Sequence, residues 1–379
     1  MSDTSATWAQ AIAFRARRQH LEERAPVERM LDVASDLCGL HAQVMSSAEL
    51  ALWARVEGLT RDHVRDALWK RRSLVKIWAM RGTLHLFPSS DYTVWQAALD
   101  TYDHYRTKRW SKVFGVPQSK LDPFYATVGR VLEGVRLTRE ELADAIVHEM
   151  GVFGEGLRSG WGSALKPASY QGLLCFAPDR GRNVTFTNPA TWLRAKDRRR
   201  PAPASEDVLG EAFRRFVRGH GPATREEIAR WWLGVGYSPA KVRRVVSVDQ
   251  ALEAVDVEGT EAWIATADRP ALEAAEPTRT VRMLPGFDQY LIGSTTSVTQ
   301  LLPDPGLRAR IHRTAGWVSS VVTVGGRIEG LWSHERKGSR VLVEVEPFGR
   351  RTKVLREGVE DEAERLAAFL DGSLELSWT

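Results

Sequence analysis

The stretch LTREELADA, residues 137–145, carries the local signal from which the fold can be predicted. Thr138 and Glu141 have the spacing of a capping box, in which each side chain accepts a backbone N–H at a helix start. Acidic residues in the first turn also interact favourably with the helix dipole. The sequence therefore predicts a helix that begins directly after Thr138.

The same pattern occurs twice more, as LTRDHVRDA at residues 59–67 and ATREEIARW at residues 223–231. The last copy repeats the capping box with Thr224 and Glu227. The copies are 78 and 86 residues apart. These distances are too long for a solenoid repeat and fit duplication of a small domain.

Each of the last two copies is followed by a second helical stretch and then by a strand, a turn and a strand. The two hairpins are LLCFAPDRGRNVTFT at residues 173–187 and LEAVDVEGTEAWIA at residues 252–265. Helix, turn, helix and hairpin is the order of a winged helix, in which one helix enters a DNA groove. The tip of the first hairpin carries Arg180 and Arg182, which suit phosphate contacts. Dimerisation or scaffolding is the alternative use of such a module.

The pattern changes after residue 278 to β-branched segments punctuated by glycine, as in AGWVSSVVTVGGRIEGLWS, residues 315–333. This predicts a small β-barrel or curved sheet. EDEAERLAAFLDG, residues 360–372, predicts an amphipathic helix that ends at Gly372. The predicted fold class is α+β, with three tandem winged-helix domains followed by a small C-terminal β-barrel. The predicted domains are residues 1–118, 119–200, 201–275 and 276–379, with a linker at residues 198–205.

Composition excludes several classes of protein. The chain has 379 residues, 43% of them hydrophobic, and a net charge of +5, which is compatible with a polyanionic partner such as DNA. It lacks an apolar run long enough for a membrane span and an N-terminal signal sequence. The two cysteines, Cys38 and Cys175, predict buried thiols in a reducing cytoplasm and no cysteine-based zinc site. No metal and no cofactor are expected.

GLHAQVMSSAELALWAR, residues 39–55, joins two predicted helices. Gly39 is predicted at the left-handed C′ position of the first, and Ser46 with Glu49 predicts a capping box that starts the second near Ser47. In extended backbone, residues i and i+2 point to the same side, whereas on a helix they diverge. His41 and Gln43 can therefore converge on one water molecule only if this joint is not helical. A joint that merely caps the preceding helix is the alternative.

Several stretches taken together resemble the AlkZ-like DNA glycosylases. They are GLHAQ at residues 39–43, ALWAR at residues 51–55, MRGTLHLFP at residues 80–88, LPGFDQYLIG at residues 284–293, and the glycine-rich segment that begins at Ala315. The resemblance implies tandem winged helices with a β-barrel, and removal of N7-alkylated guanine from DNA, including bulky natural-product adducts against which producing bacteria protect themselves.

The resemblance also implies that the Gln-x-Gln motif of the family lies at residues 41–43. Gln43 matches its second position, and His41 replaces the first glutamine, as in a His-x-Gln subgroup associated with bulky intercalating adducts. A second departure is STTS at residues 294–297, where many members carry charged residues. N7-alkylguanine is cationic and leaves readily, so a base and an orienting amide suffice. A neutral imidazole, with an ordinary pKa of about 6.5, is a competent general base.

We therefore predict a monofunctional DNA glycosylase in which His41 activates or positions the water and Gln43 orients it. Asp288 is a candidate for supporting the cationic transition state, with a structural role in a turn as the alternative. The candidate DNA-binding residues are Arg72, Arg81, Arg336, Lys337 and Arg340. The expected partner is double-stranded DNA carrying alkylguanine adducts, bound by a monomer. The competing hypothesis is a non-catalytic winged-helix transcriptional regulator, which would normally be a symmetric dimer.

Overall fold

The computed structural model describes residues 5–151, 157, 162–194, 204, 207–233 and 238–379. The chain has a mixed α+β fold and divides into two compact units. The first unit combines Met1–Val64 with Phe213–Thr379, and the second is Arg65–Ala212. Apart from Ala204, the predicted linker at residues 198–205 lies outside the described residues. The division into four domains stays a prediction.

Helices occur along the whole described chain. They are α1 (Trp8–Arg18), α2 (Met30–Asp36), α3 (Met45–Trp53), α4 (Arg61–Arg65), α5 (Tyr92–Leu99), α6 (Lys108–Phe114), α7 (Leu121–Val131), α8 (Arg139–Met150), α9 (Lys166–Tyr170), α10 (Pro189–Trp192), α11 (Val208–His220), α12 (Arg225–Leu233), α13 (Pro239–Val246), α14 (Arg269–Glu273), α15 (Gln289–Gly293), α16 (Val298–Leu301), α17 (Arg308–Ile311) and α18 (Lys353–Phe369). Within the described residues, no helix has both the length and the apolar character needed to cross a membrane.

Most strands are short and lie in small sheets. They are β1 (Ser5–Ala6), β2 (Leu40–His41), β3 (Leu74–Trp78), β4 (Leu84–Pro88), β5 (Leu137–Thr138), β6 (Cys175–Arg180), β7 (Asn183–Thr187), β8 (Leu252–Val257), β9 (Thr260–Ala265), β10 (Val281–Leu284), β11 (Val321–Val324), β12 (Arg327–Lys337), β13 (Arg340–Pro347) and β14 (Ser373–Trp378).

The three repeated segments start helices as predicted. α4, α8 and α12 each begin at the arginine that follows the threonine. In α8 and α12 the threonine hydroxyl accepts the N–H three residues on, and the glutamate accepts the threonine N–H. These reciprocal pairs are Thr138 with Glu141 and Thr224 with Glu227. The α4 copy has His63 in place of the glutamate, and the imidazole Nδ1 accepts the Thr60 N–H over 3.1 Å.

Two sheets lie wholly within the first unit among the described residues. β8 and β9 form the predicted hairpin, and β1 adds in parallel to β8. Residues of this sheet and of α1 share one apolar core, which includes Phe14 and Ile264. The second sheet has the order β10-β11-β12-β13-β14, antiparallel except for the parallel β13/β14 pair.

The second unit contains the antiparallel β3/β4 pair and a sheet of order β5-β7-β6. The predicted hairpin of β6 and β7 is present, and Arg180 beside its tip forms an ion pair with Glu141 over 2.6 Å. Trp78 packs against Phe176 and Phe186 at ring-centroid distances of 4.7 and 5.9 Å. Aromatic packing therefore joins β3 to this hairpin.

The C-terminal region differs from the prediction in its sheet and in its last helix. The expected barrel is an open sheet among the described residues, with β10 and β14 at its two edges. β14 was not predicted, and it fills the edge beside β13. The last helix begins earlier than expected, at Lys353, because the Thr352 hydroxyl caps it. It ends at Phe369, and Asp371 rather than Gly372 adopts the left-handed conformation after it, with φ of 53°.

Two caps around residues 39–49 were predicted only in part. Gly39 is left-handed as predicted, with φ of 84°, but Cys38, with φ of 57°, takes the C′ position. The Gly39 N–H donates to the Ala34 carbonyl over 2.9 Å. This is the bonding of a Schellman motif, in which the outer N–H closes the longer loop. α3 starts at Met45 without a side-chain cap. Ser46 therefore lies inside the helix rather than at its N-cap, and the buried Glu49 forms an ion pair with Arg61.

Candidate active site

The joint that carries His41 and Gln43 is not helical, as the sequence predicted. α2 ends at Asp36 and α3 begins at Met45, and His41 is the last residue of the short strand β2. His41 is buried, with 6% of its surface exposed, whereas Gln43 is exposed. The pair therefore consists of an imidazole below the surface and an amide at the surface.

Three consecutive residues of the GFDQYLIG stretch, residues 286–293, contact His41, Gly39 or Arg55. Phe287 stacks on His41 with ring centroids 5.0 Å apart and an interplanar angle of 18°. Gln289 donates a hydrogen bond from its side-chain amide to the Gly39 carbonyl. Asp288 lies between them and pairs with Arg55. Two stretches about 250 residues apart in sequence thus form one site.

The Arg55–Asp288 ion pair lies in the interior, and both side chains are fully buried. Arg55 Nη2 is 2.6 Å from Asp288 Oδ1, and Nη1 is 2.8 Å from Oδ2, which is a bidentate contact. Arg55 also donates to the carbonyls of Gln19 and Ala51. Asp288 Oδ1 accepts the Tyr290 N–H over 2.9 Å and so caps α15. Both carboxylate oxygens therefore already have partners, which favours the structural alternative for Asp288.

Phe287 connects the joint to a short turn further along the chain. Its backbone has φ of 62°, a left-handed conformation that is uncommon for a bulky residue. Its N–H donates to the Val318 carbonyl over 3.3 Å. Its ring meets that of Trp317 edge to face, with centroids 4.9 Å apart. The aromatic contacts thus run from His41 through Phe287 to Trp317.

The three predicted DNA-binding residues of the C-terminal hairpin lie together at its tip, where β12 and β13 meet. Lys337 is 3.0 Å from Glu335, and Arg340 is 3.0 Å from Glu375. Arg336 donates to the carbonyls of Gly338 and Asp371. All three cations are exposed. Acidic neighbours therefore offset part of the positive charge at this tip.

The other two predicted DNA-binding residues lie in the second unit and are half-buried. The Arg72 guanidinium lies 3.8 Å from the centroid of the Trp192 ring and donates to the Trp192 carbonyl. Arg81 has φ of 58° between β3 and β4, and burial lowers its pKa to about 10. Trp192 therefore holds Arg72, and neither arginine is fully extended into solvent.

The predicted buried thiols are confirmed, since Cys38 and Cys175 are both buried and unbridged. Burial raises the pKa of Cys175 well above its usual value. Within the part of the chain that the structure describes, no cluster of three or more histidine, cysteine or acidic side chains is arranged to hold a metal.

Comparison with known proteins identifies the family of this chain. The family model for "DNA glycosylase AlkZ-like" matches residues 34–369. The chain belongs to the AlkZ-like DNA glycosylase family. It is therefore an enzyme of DNA repair that hydrolyses N-glycosyl bonds.

A sequence match and a structural match, both from Streptomyces sahachiroi, support this membership. The chain is 36% identical over 365 residues to an interstrand DNA cross-link repair glycosylase, and the match covers 96% of each chain. The solved structure of the DNA glycosylase AlkZ superposes with a TM-score of 0.88 at 34% identity, covering 99% of this chain and 100% of that one. The AlkZ-like fold therefore extends over essentially the whole molecule.

Sequence reasoning did not assign a role to Arg55, Phe287, Gln289 or Trp317. All four lie within stretches that carried the family resemblance, so the signal was present without a contact to interpret it. Their roles follow from contacts between segments that are distant in sequence.

Proposed function

We propose that this glycosylase hydrolyses the bond between deoxyribose C1′ and N9 of N7-alkylated guanine in double-stranded DNA. The observation that carries the proposal is the non-helical joint with His41 buried beneath Phe287 and Gln43 exposed two residues later. A buried imidazole beside an exposed amide gives a water molecule a base on one side and an orienting group on the other.

The chemistry needs little from the protein, because the leaving group is already a cation. The C1′–N9 bond breaks with its electron pair passing to the purine, which leaves as neutral N7-alkylguanine. Water adds to C1′ of the oxocarbenium-like sugar and transfers a proton to the neutral His41 imidazole. Gln43, which has no basicity in this range, orients the water or the sugar. Ordinary glycosidases need two carboxylates because their leaving groups are poor.

The reaction is proposed to stop at the abasic site. No lysine is assigned to attack C1′, so the sugar–phosphate backbone stays intact and strand cleavage is left to another enzyme. The enzyme would act as a monomer in the cytoplasm.

Asp288 is proposed as a positioning residue rather than a direct partner of the sugar. Its bidentate contact with Arg55 fixes the loop that carries Phe287 and Gln289, and these two side chains contact His41 and Gly39. A buried carboxylate already neutralised by a guanidinium has little charge left for a developing cation. Its effect on catalysis would therefore pass through the orientation of the joint.

We further propose that the helix–helix–hairpin segments act as winged helices against the duplex. Arg336, Lys337 and Arg340 would contact phosphates, since all three are exposed. The partners of Lys337 and Arg340 are exposed carboxylates, with which a phosphate competes well for a cation. Arg72 and Arg81 are proposed as weaker contributors, because Arg72 is already held by Trp192 and both side chains are half-buried.

The proposed lesions are bulky N7-guanine adducts of natural products, removed as self-resistance by base excision repair. The name of the relative, an interstrand cross-link repair glycosylase, supports large rather than small lesions. His41, in the first position of the motif, distinguishes this chain from the Gln-x-Gln pattern and is proposed to tune it to its adduct. The regulator hypothesis is not favoured, because the chain belongs to a family of glycosylases.

The test is base release from a duplex with a single N7-methylguanine, followed by hot alkali to cut at abasic sites. We expect the wild type to produce a break at the lesion, and His41→Ala and Gln43→Ala to lose about 10²–10⁴-fold in rate. Gln300→Ala, an exposed glutamine in the same unit, is the matched control and should retain full activity. Wild-type binding without base release would contradict the proposal.

A further inference from the structure

Trp317 is unusually exposed for a tryptophan. Half of its surface, 51%, is open to solvent, and among the described residues it is the only aromatic side chain in the group of exposed large hydrophobic residues. Trp side chains are large and usually highly buried, so an exposed indole suggests a surface made for contact.

A tight turn presents this indole. Ala315 and Gly316 both have positive φ, 57° and 75°. The Arg313 N–H donates to the Trp317 carbonyl over 2.8 Å. His312 and Val318 form the next bridge of this short hairpin. A turn of this type fixes the direction of the flanking residues, and the left-handed conformation of Ala315 carries a steric cost. The indole is therefore held on a defined backbone rather than on a loose loop.

The position of the turn relative to His41 is fixed by two independent contacts. The Trp317 ring meets Phe287, and Phe287 stacks on His41. The backbone of Phe287 also donates to Val318, the residue directly after Trp317. An exposed aromatic surface thus lies two ring contacts from the proposed base.

A polar groove opens beside the indole and extends over the C-terminal sheet. Its volume is about 390 Å³, and it is lined by Trp317 and Trp332 together with Arg313, Ser333 and Glu344. This volume falls within the usual range for small-molecule sites, roughly 300–1,000 Å³, and is too small for a duplex. Aromatic faces bordered by hydroxyl, carboxylate and guanidinium groups suit a planar molecule with polar substituents.

We propose that Trp317 stacks on a planar aromatic ring system at the lesion, and that the groove holds the polar substituents of that ring system. The inference rests on the proposed function and names the part of the substrate that is not DNA. The ring that stacks is assigned to the adduct rather than to a nucleobase, because the groove continues from the indole with room for a ligand. Trp317 is thus a specificity residue for adducts with an extended aromatic system.

The test compares two duplexes of the same sequence, one with N7-methylguanine and one with the N7-guanine adduct of aflatoxin B1 epoxide, which carries a planar polycycle. We expect Trp317→Ala to lose about 10- to 100-fold in single-turnover rate at subsaturating enzyme on the aromatic adduct, the range for loss of one stacked ring. On N7-methylguanine the loss should stay below about threefold. Trp317→Phe should retain most activity on both. Val248→Ala, which shortens another exposed hydrophobic side chain of the same unit, should change neither rate.

Two results would overturn the inference. An equal loss on both duplexes would assign the stacked ring to a nucleobase, and no loss on either would remove the stacking role. Wild-type release of N7-methylguanine separates these outcomes from failure of the proposed function. Should the wild type release neither base, the binding affinities for the same two duplexes are compared in a Gln43→Ala background. A selective loss of affinity for the aromatic adduct in the Trp317→Ala variant then supports stacking, and an unchanged affinity overturns it.

Discussion

Replacing Asp288 by asparagine separates a structural role of this residue from a direct catalytic one. The side chain keeps its size and one acceptor oxygen, but the charge of Arg55 is left buried without its counter-ion. Removing one partner of a buried ion pair costs about 3–5 kcal/mol in the free energy of unfolding. The amide group would also direct N–H donors at Arg55 Nη1, which now lies 2.8 Å from a carboxylate oxygen. We expect a loss of about 3 kcal/mol or more.

Thermal unfolding followed by circular dichroism measures this loss. One kcal/mol corresponds to roughly 2–4 °C for a unit of this size, so the melting temperature should fall by roughly 6–20 °C. The matched control is Glu375→Gln, the same carboxylate-to-amide change in the exposed ion pair with Arg340. An exposed pair contributes about 0–1 kcal/mol, so this variant should melt within a few degrees of the wild type.

Activity of Asp288→Asn well below its melting temperature completes the test. A positioning residue should leave base release within about tenfold of the wild-type rate. A wild-type melting temperature combined with a rate lowered about 10³-fold would refute the reasoning, because the carboxylate would then act on the substrate rather than on Arg55.

Three smaller perturbations test other parts of the account. Arg336→Ala and Arg340→Ala should each weaken binding to any DNA sequence and reduce the slope of log affinity against log salt by about 1, measured by fluorescence anisotropy; an unchanged slope would exclude a phosphate contact. Thr224→Ala removes the hydroxyl that caps α12 and should cost about 1 kcal/mol in urea unfolding, whereas Thr224→Ser should cost little. Asp371→Gly relieves a left-handed residue after α18 and should stabilise the chain by about 0.5–1 kcal/mol; a loss of stability would show that the aspartate side chain makes an offsetting contact.

Signals within a few residues predicted much of the local structure. The capping boxes at Thr138 and Thr224 gave correct helix starts, because both partners lie in the same turn. Ser46 and Glu49 have the same spacing, but α3 begins at Met45, so Ser46 lies inside the helix rather than at its N-cap. The spacing of a capping box can therefore also occur within a helix.

Pairing between distant strands was harder to predict. β14, at Ser373–Trp378, alternates in exposure along its length, and this period-two pattern was available in the sequence. Its position follows from a parallel pairing with β13, which depends on the path of α18 between them. The open sheet in place of a closed barrel has the same origin, since closure depends on which edges meet and not on the residues within a strand.

The candidate site was likewise predictable in its local part and not in its long-range contacts. The non-helical joint at His41 was predictable from a helix end and a helix start on either side of it. The contacts that hold it come from Phe287 and Gln289, and only the folded chain brings them to residues 39–41. The family resemblance marked both stretches as important, whereas the geometry explains why they belong together.

The pH dependence of the single-turnover rate on N7-methylguanine DNA, compared between the wild type and His41→Ala, tests the central claim most directly. Only the neutral imidazole can accept the proton of water. The wild-type rate should therefore fall about tenfold per pH unit on the acid side of the imidazole titration. His41→Ala has no group at this position that can take the proton of water, and should be about 10²–10⁴-fold slower with a flat profile. A wild-type profile that stays flat on the acid side, or the same profile in both proteins, would contradict the role of His41 as the base.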